Sequence, residues 1–184
     1  MLKVFCLESE WNEKQLQYNT SVLPMMQYIE QVLGRTNFGF SYRQVPTYES
    51  LKHYLKEYQK KQYKSYELLY LAMHGAKGSI NFMDQTVKLS DFAAEYKGAF
   101  TGKFLHLGSC RVLDLQSDHL KKIKDALDVK HLTGYSKEVD FLESSMMDMA
   151  LLRAVATYDR WGSIPKALDK DFPDLIKKLG FKWV

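Results

Sequence analysis

A chain of 184 residues is long enough for one domain, residues 1–184, with a real hydrophobic core. At 46% hydrophobic and 26% charged it reads as neither disordered nor membrane-spanning, and its net charge of +4 permits contact with nucleic acid without demanding it. Two cysteines, Cys6 and Cys110, are too few for a disulfide scaffold, and Glu8 interrupts the N-terminal stretch before a signal-peptide apolar region develops; a soluble cytoplasmic protein is expected, with no membrane contact.

Lys3 to Leu7 reads as a strand. From Val22 through Met25, Ile29 and Val32 the apolar steps are helical, and Gly34 stops the run. Phe38 to Val45 is a second strand, after which Thr47 caps a helix with Leu51, Leu55 and Tyr58 on its inner face. Tyr66 to Met73 is apolar on both faces, as in a buried parallel sheet, and ends at His74-Gly75. Alternation of Ile80 and Phe82, then Val87 and Leu89, around Met83 to Thr86 predicts a small hairpin. Ser90 is expected to cap a short helix that ends near Gly98.

Lys103 to Gly108 is another strand, ending at Ser109-Cys110. A helix carries Leu120, Ile123 and Leu127, and His131 to Gly134 makes a fifth core strand. A long helix follows with apolar residues at Leu142, Met146, Met149, Leu152 and Ala156; beyond Gly162 the pattern predicts a shorter helical tail ending in Lys182-Trp183-Val184. Strands alternating with helices predict an α/β fold: a mainly parallel central sheet, helices on both faces and a small inserted hairpin. Sites in such sheets collect at the carboxyl ends of the strands, where this reading puts both His74 and Cys110.

A thiol becomes a nucleophile when a nearby imidazole accepts its proton. His74 and Cys110 end strands instead of lying within them, and each has small neighbours that let a substrate backbone approach: Gly75 after the histidine, Gly108 and Ser109 before the cysteine. The N–H groups of Gly75 and Cys110 are candidates for an oxyanion hole. The alternative is a buried core cysteine and a histidine that merely closes a strand.

The stretch Leu68-Leu69-Tyr70-Leu71-Ala72-Met73-His74-Gly75, the hairpin and helix from Gly78 to Tyr96, and Phe104-Leu105-His106-Leu107-Gly108-Ser109-Cys110 together resemble the caspase-like (clan CD) cysteine peptidases. The nearest likeness is to the bacterial CHAT and separase-type branch, whose glycine followed by a Val-Asp pair is similar to Gly134 through Val139-Asp140. The resemblance implies a caspase-like three-layer fold and a His74–Cys110 dyad cleaving peptide bonds. It also implies an acidic S1 pocket that selects Lys or Arg before the cut, with Asp140 as the candidate and a solvated acidic loop as the alternative. Gly108 stands where caspases carry the glutamine that helps bind an acidic P1 residue, so cleavage after Asp is not implied.

Other chemistries find less support. Lys56, Lys60, Lys61 and Lys64, interleaved with Tyr54, Tyr58, Tyr63 and Tyr66, have the composition of a nucleic-acid face, but helical spacing explains the aromatics as an inner stripe and the lysines as its wet side. Five histidines without ligand spacing predict no metal, and His106 reads as a core histidine with a satisfied hydrogen bond. Neither a glycine-rich dinucleotide fingerprint nor a P-loop is present, so no cofactor is expected. The sequence thus points to a cysteine endopeptidase acting on a protein or peptide, restrained by a regulatory protein partner, a small ligand or an inactive resting geometry. The competing reading is a non-catalytic caspase-like module that binds a protein partner or nucleic acid.

Overall fold

Short runs of apolar residues bury their side chains only if their backbones pair, and here five of them pair in parallel. The computed structural model describes residues 1–11 and 20–184. In chain order the elements are β1 (Leu2–Glu8), α1 (Leu23–Leu33), β2 (Phe38–Gln44), α2 (Tyr48–Tyr58), β3 (Leu68–Ala72), β4 (Gly75–Ala76), β5 (Ser79–Asn81), β6 (Thr86–Lys88), α3 (Leu89–Glu95), β7 (Phe104–Gly108), α4 (Ser117–Leu127), β8 (His131–Tyr135), α5 (Phe141–Thr157), α6 (Ile164–Asp171), α7 (Pro173–Leu179) and β9 (Phe181–Trp183). The central sheet has the order β2-β1-β3-β7-β8-β9, parallel except for β9 at one edge, and β4-β5-β6 form a small antiparallel sheet.

Two apolar clusters cover the two faces of the central sheet. One packs Phe5, Leu69, Leu105 and Leu132 of the sheet against α2, α3 and α4; the other packs Val4, Cys6, Tyr70 and Phe104 against α1, α5, α6 and α7. In chain order α1 thus covers the second of these faces, α2, α3 and α4 the first, and α5, α6 and α7 the second again; each of these fully buried leucines contributes about 1.5–3 kcal/mol of transfer free energy. On the first face the lysine-rich helix lies as its spacing requires, with Tyr48, Leu51, Leu55 and Tyr58 buried. Tyr54, Tyr63 and Tyr66 lean against the same core. Thr47 caps that helix, its hydroxyl accepting from the Ser50 N–H while the Ser50 hydroxyl accepts from the Thr47 N–H.

Three local expectations change. Lys88, not Ser90, precedes α3, and it makes no side-chain cap; Ser90 lies inside the first turn, its hydroxyl donating to Asp91. In α5 the face turned inward is Ser144, Ser145, Met147, Asp148, Leu151, Leu152 and Val155, leaving Leu142 and Met146 exposed. The apolar steps that start at Leu142 thus misjudge the helix's rotation, because the neighbouring sheet offers hydrogen-bonding side chains to this end of α5. The helical tail beyond Gly162 is α6 and α7 followed by a strand: Gly180, in the left-handed region at φ +61°, ends α7, and β9 pairs Trp183 with Thr133. The Trp183 indole N–H donates to His131 Nδ1 at 3.2 Å. Three residues are too few for periodicity to declare a strand.

Candidate active site

β3 and β7 are neighbours in register, Ala72 opposite Gly108, so the chain leaves both at the same edge of the sheet. His74 follows β3 and Cys110 follows β7, and both line one cleft of about 230 Å³. The turn after β7 holds the cysteine at the strand end. Arg111 adopts the left-handed conformation, φ +54°, with its N–H on the Lys137 carbonyl at 3.0 Å, and the Leu113 N–H donates to the Tyr135 carbonyl at 2.9 Å. A non-glycine residue in that region stores about 1–3 kcal/mol, which this anchoring sustains.

Gly75 is required by close approach. A Cβ there would stand 2.5 Å from the Cys110 carbonyl oxygen and 3.3 Å from its nitrogen. The two candidate oxyanion-hole residues therefore meet backbone to backbone, and among the described residues the Cys110 N–H has no hydrogen-bond acceptor. The Asn81 N–H donates to the His74 carbonyl at 2.9 Å, so the small sheet pins the histidine's backbone.

The His74 imidazole is oriented by Trp11. Its Nε2 lies 2.9 Å from the Trp11 carbonyl oxygen, and the two rings meet edge to face at 5.1 Å. A carbonyl only accepts, so Nε2 carries the hydrogen, and in the neutral ring the lone pair is on Nδ1. Trp11 is itself fixed: its indole N–H donates to Glu8, and its ring packs on Phe141 at 5.4 Å. Glu8, 1% exposed, also accepts from the Ser21 hydroxyl, the Val22 N–H and the Tyr42 hydroxyl. Burial, and then the bond to this carboxylate, pushes the Tyr42 phenol up to about 12. Glu8 thus ties Trp11 to the start of α1 and to β2, and is not presented to a ligand.

The Cys110 Sγ is 3.6 Å from the Val139 carbonyl oxygen, to which it donates. Neither residue of the pair hydrogen-bonds the other. Cys6 is a different kind of thiol: it lies fully buried within β1, where burial, then Glu8 and Asp148, pushes it well above the ordinary range.

Asp140 is not with this group. It is the N-cap of α5, Oδ1 accepting from the Leu142 and Glu143 N–H groups at 2.9 and 3.1 Å, and it does not line the cleft. The carboxylate that does is Asp148, two turns further along the same helix and 3% exposed. It accepts from the hydroxyls of Tyr70 and Tyr135, and its Oδ1 lies 2.9 Å from His106 Nε2. His106 Nδ1 faces the Thr133 hydroxyl at 2.8 Å. Burial, then Asp148, raises both tyrosines well above their usual range. Sequence reasoning missed Trp11, Tyr70 and Asp148; the available signal was a tyrosine inside the apolar run of β3 and a serine pair with an aspartate interrupting the inward side of α5.

A family model described as "Family of unknown function (DUF6642)" matches residues 2–184. The chain belongs to that family. Every residue of the cleft falls within the matched range. The chain is also similar to a probable septum site-determining protein MinC from Colwellia psychrerythraea (strain 34H / ATCC BAA-681), at 28% identity over 98 residues. That alignment covers 52% of this chain and 41% of the MinC protein. No helix among the described residues is long and apolar enough to cross a membrane.

Proposed function

We propose that this protein is a caspase-like cysteine endopeptidase. The observation that carries the reading is the convergence of His74 and Cys110 on one cleft at the carboxyl edge of adjacent parallel strands, with a main-chain carbonyl fixing the imidazole tautomer. The sheet order with its antiparallel edge strand, and the small three-stranded sheet between the histidine and the cysteine, suit the caspase-like three-layer fold that the sequence resembles.

In this mechanism substrate displaces the Val139 carbonyl from the Cys110 thiol. His74 Nδ1 takes the thiol proton, while Nε2–H stays on the Trp11 carbonyl and stabilises the imidazolium that forms. The thiolate attacks the scissile carbonyl carbon, and the oxyanion is held by the Gly75 and Cys110 N–H groups. His74 returns its proton to the departing amine as the carbon–nitrogen bond breaks. A water, deprotonated by His74, then attacks the acyl-enzyme and releases the carboxylate product and the thiol.

The resting bond from Cys110 to Val139, instead of to His74, is the observation that favours the second reading, a non-catalytic module that binds a protein partner or nucleic acid. A fluorogenic peptide library separates the two. The peptidase reading expects cleavage that disappears in Cys110→Ala and falls by at least about 10²-fold in His74→Ala, with both variants melting close to wild type. A folded wild type that cleaves no member of the library supports the module.

A further inference from the structure

We propose that the groove between the small antiparallel sheet and α4 is a docking site for an acidic segment of a partner protein, one that carries aliphatic side chains between its carboxylates. The site is separate from the cleft and does not depend on whether Cys110 cuts a peptide bond.

The groove consists of two adjoining cavities, of about 560 and 430 Å³, that share Lys77, Leu115 and His119. Lys88 and Lys122 line only the larger and Lys182 only the smaller, so the cations stand at successive stations along the groove instead of converging on one point. Leu115 and Ile123 supply aliphatic surface between them, to which the lysine stems add their methylenes. The walls are tied together in advance. The Gly78 N–H donates to the Arg111 carbonyl at 3.3 Å, and Lys182 Nζ donates to the Leu115 carbonyl at 3.2 Å. A Cβ on Gly78, at φ +64°, would stand 2.8 Å from the Leu115 side chain, so the turn from β4 to β5 seats directly on that leucine. A groove already formed costs its occupant less ordering.

Charge and shape together select the occupant. Lys77, Lys88 and Lys122 are exposed and make no ion pair among the described residues. The one carboxylate that lines the groove, Asp114, is held by Arg111 at 3.1 Å. Unpaired cations beside aliphatic surface favour a partner of opposite charge and steer its approach. No phenylalanine, tyrosine or tryptophan lines either cavity, so nucleobases have no ring to stack on. A compact polyphosphate needs its cations gathered around it, whereas a peptide chain presents carboxylates at intervals, as these lysines are arranged.

The test is fluorescence anisotropy with the full chain and a short fluorescein-labelled peptide of alternating glutamate and leucine; the glutamine–leucine peptide is the uncharged control. The glutamate peptide is expected to bind at least tenfold more tightly than the control and to weaken at least threefold in high salt. Lys77→Glu and Lys122→Glu, at exposed positions and checked for folding by circular dichroism, are each expected to raise its Kd at least fivefold. Lys64→Glu makes the same change in net charge beside Leu2 and Lys103, at the amino ends of the strands, and is expected to raise it less than twofold. Unlabelled tripolyphosphate and oligothymidine at equal charge concentration are expected not to displace the peptide. Equal binding of the two peptides, no binding of either, or groove variants no weaker than Lys64→Glu overturn the assignment. Displacement by tripolyphosphate or oligothymidine also overturns it, in favour of a phosphate-bearing ligand. Because the readout is binding, a protein that cleaves nothing removes the peptidase reading and leaves this site standing.

Discussion

The two faces of the central sheet differ by one residue of register and by their chemistry. One row across the strands is Phe5, Leu69, Leu105 and Leu132; the next is Cys6, Tyr70, His106 and Thr133. The first is dry and meets the apolar sides of α2, α3 and α4. The second meets α5 through Asp148, which accepts from Tyr70 and whose Oδ1 lies 2.9 Å from His106 Nε2, a buried ring nitrogen that makes no hydrogen bond among the described residues. Because side chains alternate along a strand, a slip of one residue would exchange the rows and send the polar groups into the dry core. The dry face fixes the register, and the register delivers a tyrosine and a carboxylate to the floor of the cleft beside Cys110.

The largest expected effect is therefore on the dry face. Leu105 is fully buried there, and Leu105→Ala is expected to cost about 2–5 kcal/mol in urea unfolding. Tyr70→Phe on the polar face removes one hydrogen bond to a charged acceptor and is expected to cost about 1.5–3 kcal/mol. If Tyr70→Phe proved the more costly of the two, the polar row and not the apolar one would be holding the register.

A smaller effect sharpens the contrast at the opposite end of β8. Burial, then Lys124 and Lys130, holds His131 down at about 4 against an ordinary 6.5. The folded protein keeps this imidazole neutral while the unfolded chain takes up a proton. Its contribution to stability is complete above pH 6.5 and is lost as the pH falls towards about 4. Urea midpoints across that window are expected to fall less in His131→Gln than in wild type; parallel curves would show that His131 is not the group being titrated.

Much of the fold is legible in the sequence, for reasons that residues make plain. Apolar runs at β3 and β7 are too short for helices and too apolar for one-sided strands, and Thr47 and Gly34 mark helix ends by their conformational preferences. The placement of His74 and Cys110 follows from the same runs. Less was legible where tertiary partners decide: the rotation of α5 is set by hydrogen bonds from Tyr70 and Tyr135 to Asp148, and β9 exists because β8 offers it an edge. The Trp11 carbonyl could not be found by residue type at all, since every residue carries a carbonyl. Asp140 reads as a substrate ligand from its neighbours in sequence, yet an aspartate before an apolar helix is also an N-cap, and that is the role it has.

The central claim is that His74 activates Cys110, and the rate of Cys110 alkylation against pH, measured in wild type and in His74→Ala, tests it most directly. Cys110 is expected to react far faster than buried Cys6 at neutral pH, and to lose at least about tenfold of that rate when the imidazole is removed. Superimposable pH profiles for wild type and His74→Ala, or Cys110 reacting no faster than Cys6, would contradict it.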